Sequence, residues 1–280
     1  MIEKIQQSGH ATIQQAAWAQ IKDRWGGWVW VAIITSITWM ICWIAFSIRA
    51  HIEGDFPYIV GALPLIGIFG YYGYVVQQVR KRFWIEFADA YGFTYMVTDD
   101  PAQESASHFG RGHSRKMQHI ISGELSGRPM RLFTYQYTEG SGKNKTTYHY
   151  TVFEFKYTGH FPHLYLNSRK NFDLPGWGGT RIPLPAEFEK KFTLVAPKEY
   201  EIEALQVFTP DILVYLLDSG LQYDIELVEQ ELLVFIRGEV NQLSKLENDF
   251  NIAVKLADRL GPVLDKMRFT EIPEHPSVLT

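Results

Sequence analysis

Cysteine is almost absent from this sequence of 280 residues, in which Cys42 stands alone. A single cysteine excludes an intramolecular disulfide and any metal site built from several thiolates. It also excludes a cysteine nucleophile everywhere except at position 42. This composition is compatible with a reducing compartment such as the cytoplasm.

Charge is absent from two long stretches, Trp25–Ile48 and Phe56–Val79. Each would extend about 36 Å as an α-helix, which is enough to cross a hydrocarbon core of roughly 30 Å. A buried helix of a soluble protein is rarely this long without a charged residue. The sequence therefore predicts a transmembrane helical hairpin over residues 25–79, with membrane lipids around it.

The cations beside this hairpin predict its orientation. Lys22 and Arg24 precede the first stretch and Arg80-Lys81-Arg82 follows the second, whereas the link between them contains Arg49 and two acidic residues. Positively charged flanks stay in the cytoplasm. We therefore expect an integral plasma (inner) membrane protein with two spans and with both termini cytoplasmic. The polar residues before the first stretch argue against a secretory signal peptide.

The remaining sequence divides into two further regions. Residues 1–24 predict an amphipathic helix, which lies on the membrane surface or packs on the cytoplasmic domain. Residues 80–280 predict a cytoplasmic α+β domain, an antiparallel sheet with helices packed on one face. Its predicted strands are Phe93–Val97, His119–Leu125, Arg128–Tyr137, Thr147–Tyr157, Phe161–Leu166, Phe192–Ala196, Leu221–Leu227 and Glu231–Arg237. Its predicted helices are Phe83–Tyr91 (ending at Gly92), Glu199–Val207, Pro210–Leu217 and Val240–Met267.

Motifs of catalysis and cofactor binding are also missing. Gly140-Ser-Gly-Lys143 resembles part of a phosphate-binding loop, but Tyr137 and Asn144 stand where that motif needs Gly and Ser or Thr. The sequence contains neither HExxH nor GxSxG. We predict no metal, no cofactor and no assigned catalytic residue, and an enzyme is not the favoured class.

Net charge argues against nucleic acid as a partner. Residues 83–280 contain 20 Lys and Arg against 27 Asp and Glu, a net charge of −7, whereas nucleic-acid affinity depends mainly on neutralising phosphates. One basic cluster interrupts this acidic domain: Arg111, His113, Arg115 and Lys116. It is a candidate binding site for anionic lipid headgroups or an acidic partner, and the alternative is a solvated loop.

Two further features are candidate contact sites. Trp177 stands among glycines in Pro175–Gly179. The alternatives for its side chain are insertion into the bilayer, contact with a partner, or filling a gap in its own domain. Gly67, Gly70 and Gly73 recur every three residues in the second stretch and favour close helix contact, within the hairpin or between protomers. A transport path is not favoured, because neither stretch contains a charged residue.

Several motifs after the hairpin resemble those of a known group of proteins. They are WIEFADAYG over Trp84–Gly92, FGRG over Phe109–Gly112, ISGELSGR over Ile121–Arg128 and LQVFTPDIL over Leu205–Leu213. The segment Trp84–Phe269 resembles a family of uncharacterised bacterial membrane proteins. The resemblance implies two N-terminal transmembrane helices, then a cytoplasmic α+β domain of unknown function, and it implies no catalytic residues.

The functional hypothesis follows from an anchor without a pore and a domain without a catalytic motif. We expect a membrane-anchored interaction or scaffold module that binds a partner protein or self-associates. One alternative is a membrane-tethered enzyme that acts on a lipid or peptide through Arg111, His113 or His163. The other is an accessory subunit of a transporter.

Overall fold

The structure is a computed structural model, and it describes residues 12–52, 55–171, 178–219 and 223–268. The chain forms two compact units. The first comprises the residues up to Glu86 together with Asn241–Ser244, and the second comprises Phe87–Val240 and the residues from Lys245 onward.

Among the described residues, the helices of the first unit are α1 (Ile13–Trp25), α2 (Trp28–Arg49) and α3 (Phe56–Tyr91). Thr12 caps α1 by accepting from the Gln15 amide, and the Gln15 side chain returns a bond to the Thr12 amide. The chain then turns at Gly26, whose φ of +54° suits a residue without Cβ. The first apolar helix begins at Trp28, three residues after the start of the predicted span, because Trp25 ends α1.

Helices α2 and α3 are long and apolar enough to span a membrane. Only 11% of the apolar window of each helix is buried, so neither is the core helix of a soluble fold. The hydroxyls within α2 bond their own helix: Thr35 Oγ1 donates to Val31 O at 2.8 Å, and Ser36 Oγ donates to Ala32 O at 2.7 Å. Such internal pairing is what a lipid environment requires of polar side chains.

Helix α3 extends past its apolar part and ends where the sequence predicts. It runs without a break through Pro64 to Tyr91, and Gly92 follows with φ +70°. Glycine at this position allows the left-handed residue that closes many helices.

Helix α1 packs within the first unit. Its side chains Ile13, Ala17 and Ile21 are buried. The Trp18 ring stands edge-on to Tyr72 of α3 at 6.5 Å, and the Ile13 amide donates to Asn241 O at 2.9 Å. Residues 1–11 of the predicted N-terminal helix lie outside the described residues.

A seven-stranded antiparallel sheet forms the centre of the second unit, as predicted for an α+β fold. The strand order is β1-β2-β3-β4-β6-β5, and β7 pairs with the other side of β4. The strands are β1 (Thr94–Asp99), β2 (His113–Leu125), β3 (Arg128–Glu139), β4 (Thr146–Ser168), β5 (Thr180–Ile182), β6 (Phe192–Ala196) and β7 (Tyr223–Arg237).

Two predicted breaks between strands are wrong because the structure forms one long strand in each place. The sequences Thr147–Tyr157 and Phe161–Leu166 belong to β4, and the pair predicted around Glu229-Gln230 is the single strand β7. Glu229 has φ +55° and lies opposite Phe161, with a register shift on each side. An irregularity shared by two paired strands lets both bend without breaking.

Helices and one irregular segment cover the sheet. The short helices are α4 (Ala186–Glu189), α5 (Glu201–Val207) and α6 (Pro210–Ser219), and the long one is α7 (Leu243–Leu264). Helix α7 packs on one face, where Phe250 meets Phe153 at 6.3 Å and Tyr157 Oη donates to Ala257 O at 2.8 Å. Residues 101–111, which we name the crossing segment, cover the opposite face with Ala106 and Phe109 in the aromatic core.

Candidate functional site

A buried carboxylate between two histidines lies under the crossing segment. Glu226 of β7 is fully buried, and its Oε1 is 2.6 Å from His163 Nε2 of β4. The Ser107 amide donates to the same oxygen at 2.7 Å. His108 Nδ1 lies 3.7 Å from Oε2, which is an ion-pair distance but too long for a hydrogen bond. One carboxylate thus organises side chains from β4, β7 and the crossing segment.

Strand register explains why these groups meet. Tyr165 lies directly opposite Glu226, so both point to one face of the sheet. His163 precedes Tyr165 by two residues and shares that face, which makes it a diagonal neighbour of Glu226. The His163 side chain is 26% exposed, whereas those of His108 and Glu226 are fully buried. The cluster therefore reaches solvent at His163.

The charge of Glu226 is stabilised in place. Burial raises the pKa of this carboxyl, but the contacts of His108 and His163 outweigh burial and lower the pKa to about 2. Glu226 is therefore ionised at neutral pH and holds the imidazole of His163 in one orientation. A buried carboxylate behind a partly exposed imidazole is the arrangement that orients a histidine for proton transfer.

His108 is held by ring stacking. Its ring stacks on Phe235 at 4.2 Å and on Tyr165 at 5.7 Å. Among the described residues, neither ring nitrogen has a hydrogen-bond partner, and the same is true of Ser107 Oγ and Glu226 Oε2. Buried polar atoms of this kind are rare and concentrate where a fold has a functional constraint.

A second polar cluster lies on the same face, around Arg131 of β3. Its guanidinium bonds Glu154 through Nε at 2.9 Å and Glu104 through Nη2 at 2.7 Å. Carboxylate oxygens of Glu104, Glu154 and Glu231 lie within 4.8 Å of one another, and Lys156 Nζ is 3.0 Å from Glu231. Two cations already neutralise most of this charge, so the geometry fits an ion-pair network better than a metal centre.

Burial is the main influence on the pKa of the Glu154 carboxyl. It raises the pKa of this carboxyl, as do the charges of Glu231 and Glu104, whereas Arg131 lowers it; the result is a pKa of about 7. The pKa of Arg131 rises because its bonds to Glu154 and Glu104 outweigh burial. Proton uptake near neutral pH is thus a property of this cluster.

The basic cluster predicted as a binding site is partly structural. His113 Nε2 is 2.9 Å from Gly140 O, and Arg115 Nη1 donates to Phe109 O at 2.6 Å. Gly112 has φ +56°, and a Cβ there would overlap the Thr138 carbonyl, so the loop is closely packed. His113 and Arg115 therefore hold the crossing segment and the adjacent hairpin in place.

Arg111 and Lys116 are placed differently. Lys116 is exposed on β2. Burial raises the pKa values of Tyr135 and Tyr165, and the charge of Arg111 partly offsets both shifts. His113 contacts Ser114 and Gly140. Trp177 lies outside the described residues.

The glycine series of α3 is open. A Cβ at Gly67, Gly70 or Gly73 would meet no atom within 4 Å, whereas a Cβ at Gly61 would lie 3.3 Å from Trp43 Cδ1. The close contact between α2 and α3 is thus made at Gly61. These three glycines therefore do not provide contact within the hairpin, which is one of the two roles expected for the series.

Sequence reasoning named His163 but missed Glu226 and His108. The available signal was the pattern Asp224-Ile-Glu226 inside the predicted strand Leu221–Leu227, which places two carboxylates on one face. Asp224 is paired too, since it accepts from the Ser168 amide at 2.7 Å and from Asn171 Nδ2 at 2.9 Å. Buried carboxylates in a strand indicate specific partners, although the partners themselves are not readable from the sequence.

These features define a class of protein: two membrane-competent helices joined to an antiparallel α+β unit. Protein-family models and curated proteins give no match to the sequence. Among solved structures, the fold is similar to the crystal structure of the mycobacterial trehalose monomycolate transport factor A, TtfA. The TM-score is 0.51 at 11% sequence identity, with 66% of this chain and 95% of that chain covered. At this identity the likeness concerns the fold alone.

Proposed function

We propose that this chain is a membrane-anchored accessory protein that acts by binding a protein partner in the same membrane. The observation that carries the proposal is the pair α2 and α3. Both are long, apolar and little buried, and the hydroxyls of α2 are satisfied within their own helix. Such a hairpin suits an anchor, because its uncharged stretches Trp25–Ile48 and Phe56–Val79 contain no charged residue from which to build a path for a solute.

The anchor has a proposed orientation. Lys22, Arg24 and the run Arg80-Lys81-Arg82 flank its outer ends, and this bias favours a cytoplasmic location for both termini and for the α+β unit. The proposed location is the plasma (inner) membrane, with residues 25–79 as anchor and 80–280 as cytoplasmic domain. A reporter fused after Thr280 that is active only outside the cytoplasm would contradict this orientation.

The partner is proposed to be a polytopic membrane protein. The open glycines Gly70 and Gly73 support this choice, since small residues let another helix approach closely. The fold shared with a protein named as a transport factor supports an accessory role in membrane transport. On the cytoplasmic side, Arg111 and Lys116 are the proposed contacts to an acidic surface, with Trp177 as a further candidate. Self-association through the same glycines is the competing outcome.

The test is chemical crosslinking in intact membranes, then detergent purification and mass spectrometry. Wild type is expected to recover a polytopic protein in a fixed ratio. Gly70→Leu and Gly73→Leu are expected to reduce that recovery about tenfold, because a bulky side chain blocks close helix contact. Ile66→Leu, an exposed position on the same helix, is the matched control and should recover the partner as wild type does. Recovery of the unaccompanied monomer from wild type would refute the proposal.

A tethered enzyme is the second candidate, favoured by the His163–Glu226 pair at 2.6 Å. His113, another residue named for this alternative, lies instead against Gly140 O at 2.9 Å. Partner recovery separates the candidates. His163→Gln should leave crosslinking unchanged if the chain is an accessory protein.

A further inference from the structure

Helices α1, α2 and α3 leave an apolar groove between them. It encloses about 390 Å³ and is lined by Trp18, Ile21 and Trp25 of α1, with Ala32 of α2 and Gly67 of α3 in its walls. This volume falls within the range of about 300–1,000 Å³ found for small-ligand sites. The residues that line it are overwhelmingly aliphatic or aromatic.

Small residues explain why the groove exists. At Gly61 the helices α2 and α3 are in contact through Trp43 and Met40. Nearer the start of α2, the small residues Ala32 and Gly67 leave the space between the same helices unfilled. The two helices of the hairpin are thus in contact near Gly61 and leave a space between them, the open level, near Ala32 and Gly67.

Aromatic side chains of α1 and α3 border this open level. Trp25 Nε1 donates to Tyr71 Oη at 3.1 Å, and their rings stand edge-on at 6.1 Å. The bond gives the indole N–H a hydrogen-bond partner, so this polar atom needs no water molecule in the groove. An apolar groove of this kind favours an apolar occupant.

Positive charge flanks the aromatic border. At 100° per residue, Trp18, Ile21 and Trp25 form one row on α1, and Lys22 and Arg24 stand on either side of it. Both cations are exposed and lie in the last turn of the helix. An apolar groove beside aromatic rings and two cations complements a lipid whose headgroup is anionic and whose tail is hydrocarbon.

We propose that this groove binds one acyl chain of an anionic phospholipid, with the lipid phosphate at Lys22 and Arg24. The inference rests on the proposed membrane anchoring, because only in a bilayer is an acyl chain the neighbour of these helices. It assigns α1 a role in lipid binding, in addition to its packing in the first unit.

The test uses the full-length protein purified from membranes. Retained phospholipid is measured by mass spectrometry, and tryptophan quenching is measured after reconstitution with phospholipids that carry brominated acyl chains. Wild type is expected to retain phosphatidylglycerol in preference to phosphatidylcholine, and to show stronger quenching with the brominated form of the former. Equal retention and quenching with the two lipids would overturn the headgroup assignment and with it the proposal.

Two matched variants test the groove itself. Ala32→Leu fills it and should weaken lipid retention about tenfold, equivalent to roughly two buried methylenes. Ala45→Leu makes the same change at an exposed position of α2 that does not line the groove, and should retain lipid as wild type does. Lys22→Gln combined with Arg24→Gln should remove the preference for the anionic lipid. Equal retention by Ala32→Leu and Ala45→Leu would overturn the proposal.

The outcomes separate this inference from the proposed function. Loss of wild-type protein from the membrane fraction would refute the anchor and both proposals. Wild-type protein that stays in the membrane and recovers its partner, but retains no lipid that Ala32→Leu displaces, would refute the groove alone. A protein side chain crosslinked into the groove in place of lipid would also refute it.

Discussion

Replacing Glu226 by glutamine should destabilise the second unit by about 3 kcal/mol near pH 6. The figure follows from the pKa of the carboxyl, which falls from an ordinary value of 4.5 to about 2 in the folded chain. Each unit of difference between folded and unfolded states is worth about 1.4 kcal/mol. Glu226 is fully buried, so solvent does little to screen this interaction.

The sign of the pH dependence is fixed by the same shift. A carboxyl with a lowered pKa binds its proton more weakly in the folded state than in the unfolded state. Its contribution to stability is therefore fully present above about pH 4.5 and is lost as the pH falls toward about pH 2. Since glutamine does not ionise, wild type and Glu226→Gln should converge in stability at the acid end of that window.

The assay is urea unfolding of the full-length protein in detergent, at several pH values between about pH 2 and pH 6. Hydrogen exchange of peptides from β4 and β7 assigns the change to the cluster, and His163→Gln alone and with Glu226→Gln gives the coupling energy. Glu187→Gln removes an exposed carboxylate of α4 and serves as the control. A stability difference that stays constant across this pH range would refute the charge-based reasoning, because lost packing does not titrate.

Two further predictions concern the second unit. The raised pKa of Glu154 gives a pH dependence of stability opposite to that of Glu226: its contribution is present below about pH 4.5 and is lost as the pH rises to about 7. Glu154→Gln should therefore flatten the curve of stability against pH between these values. Urea midpoints near pH 5 and pH 8 are the check. Gly159→Ala should destabilise by about 3 kcal/mol, because the added Cβ would overlap the Leu264 carbonyl at the end of α7. A Cβ at Gly110 would meet nothing within 4 Å, so Gly110→Ala should change the free energy of unfolding by no more than about 0.5 kcal/mol in the same urea assay. Equal effects of the two substitutions would contradict the packing argument.

Local signals allowed accurate prediction of several elements. The apolar stretches appear as α2 and α3, and the end of α3 at Gly92 follows from the freedom of glycine to adopt positive φ. The Asp100-Pro101 pattern predicts a helical turn, and Asp100 Oδ1 accepts from the Ala102 amide at 3.0 Å. In each case residues close in sequence determine the geometry.

Features that depend on distant partners were predicted poorly. Glu229-Gln230 has the composition of a turn, and only the pairing of Glu229 with Phe161 keeps it inside a strand. The contacts of the basic cluster also depend on distant partners. His113 and Arg115 contact Gly140 and Phe109, which no spacing rule identifies, and the role of the cluster as a binding site stays a prediction.

The register shifts between β4 and β7, which caused the error in the strand prediction, also bring the residues of the candidate site together. Between Lys156 and Leu164, β4 changes register twice against β7, and His163 comes directly after Phe161-Pro162 in this bend. The new register continues through Tyr165 opposite Glu226, which places His163 and the carboxylate on one face at 2.6 Å. A bulge re-aims the side chains that follow it, so this pair depends on a pairing between residues more than sixty positions apart. Because that dependence is non-local, a reader of the sequence finds His163 and Glu226 separately, and only the register joins them.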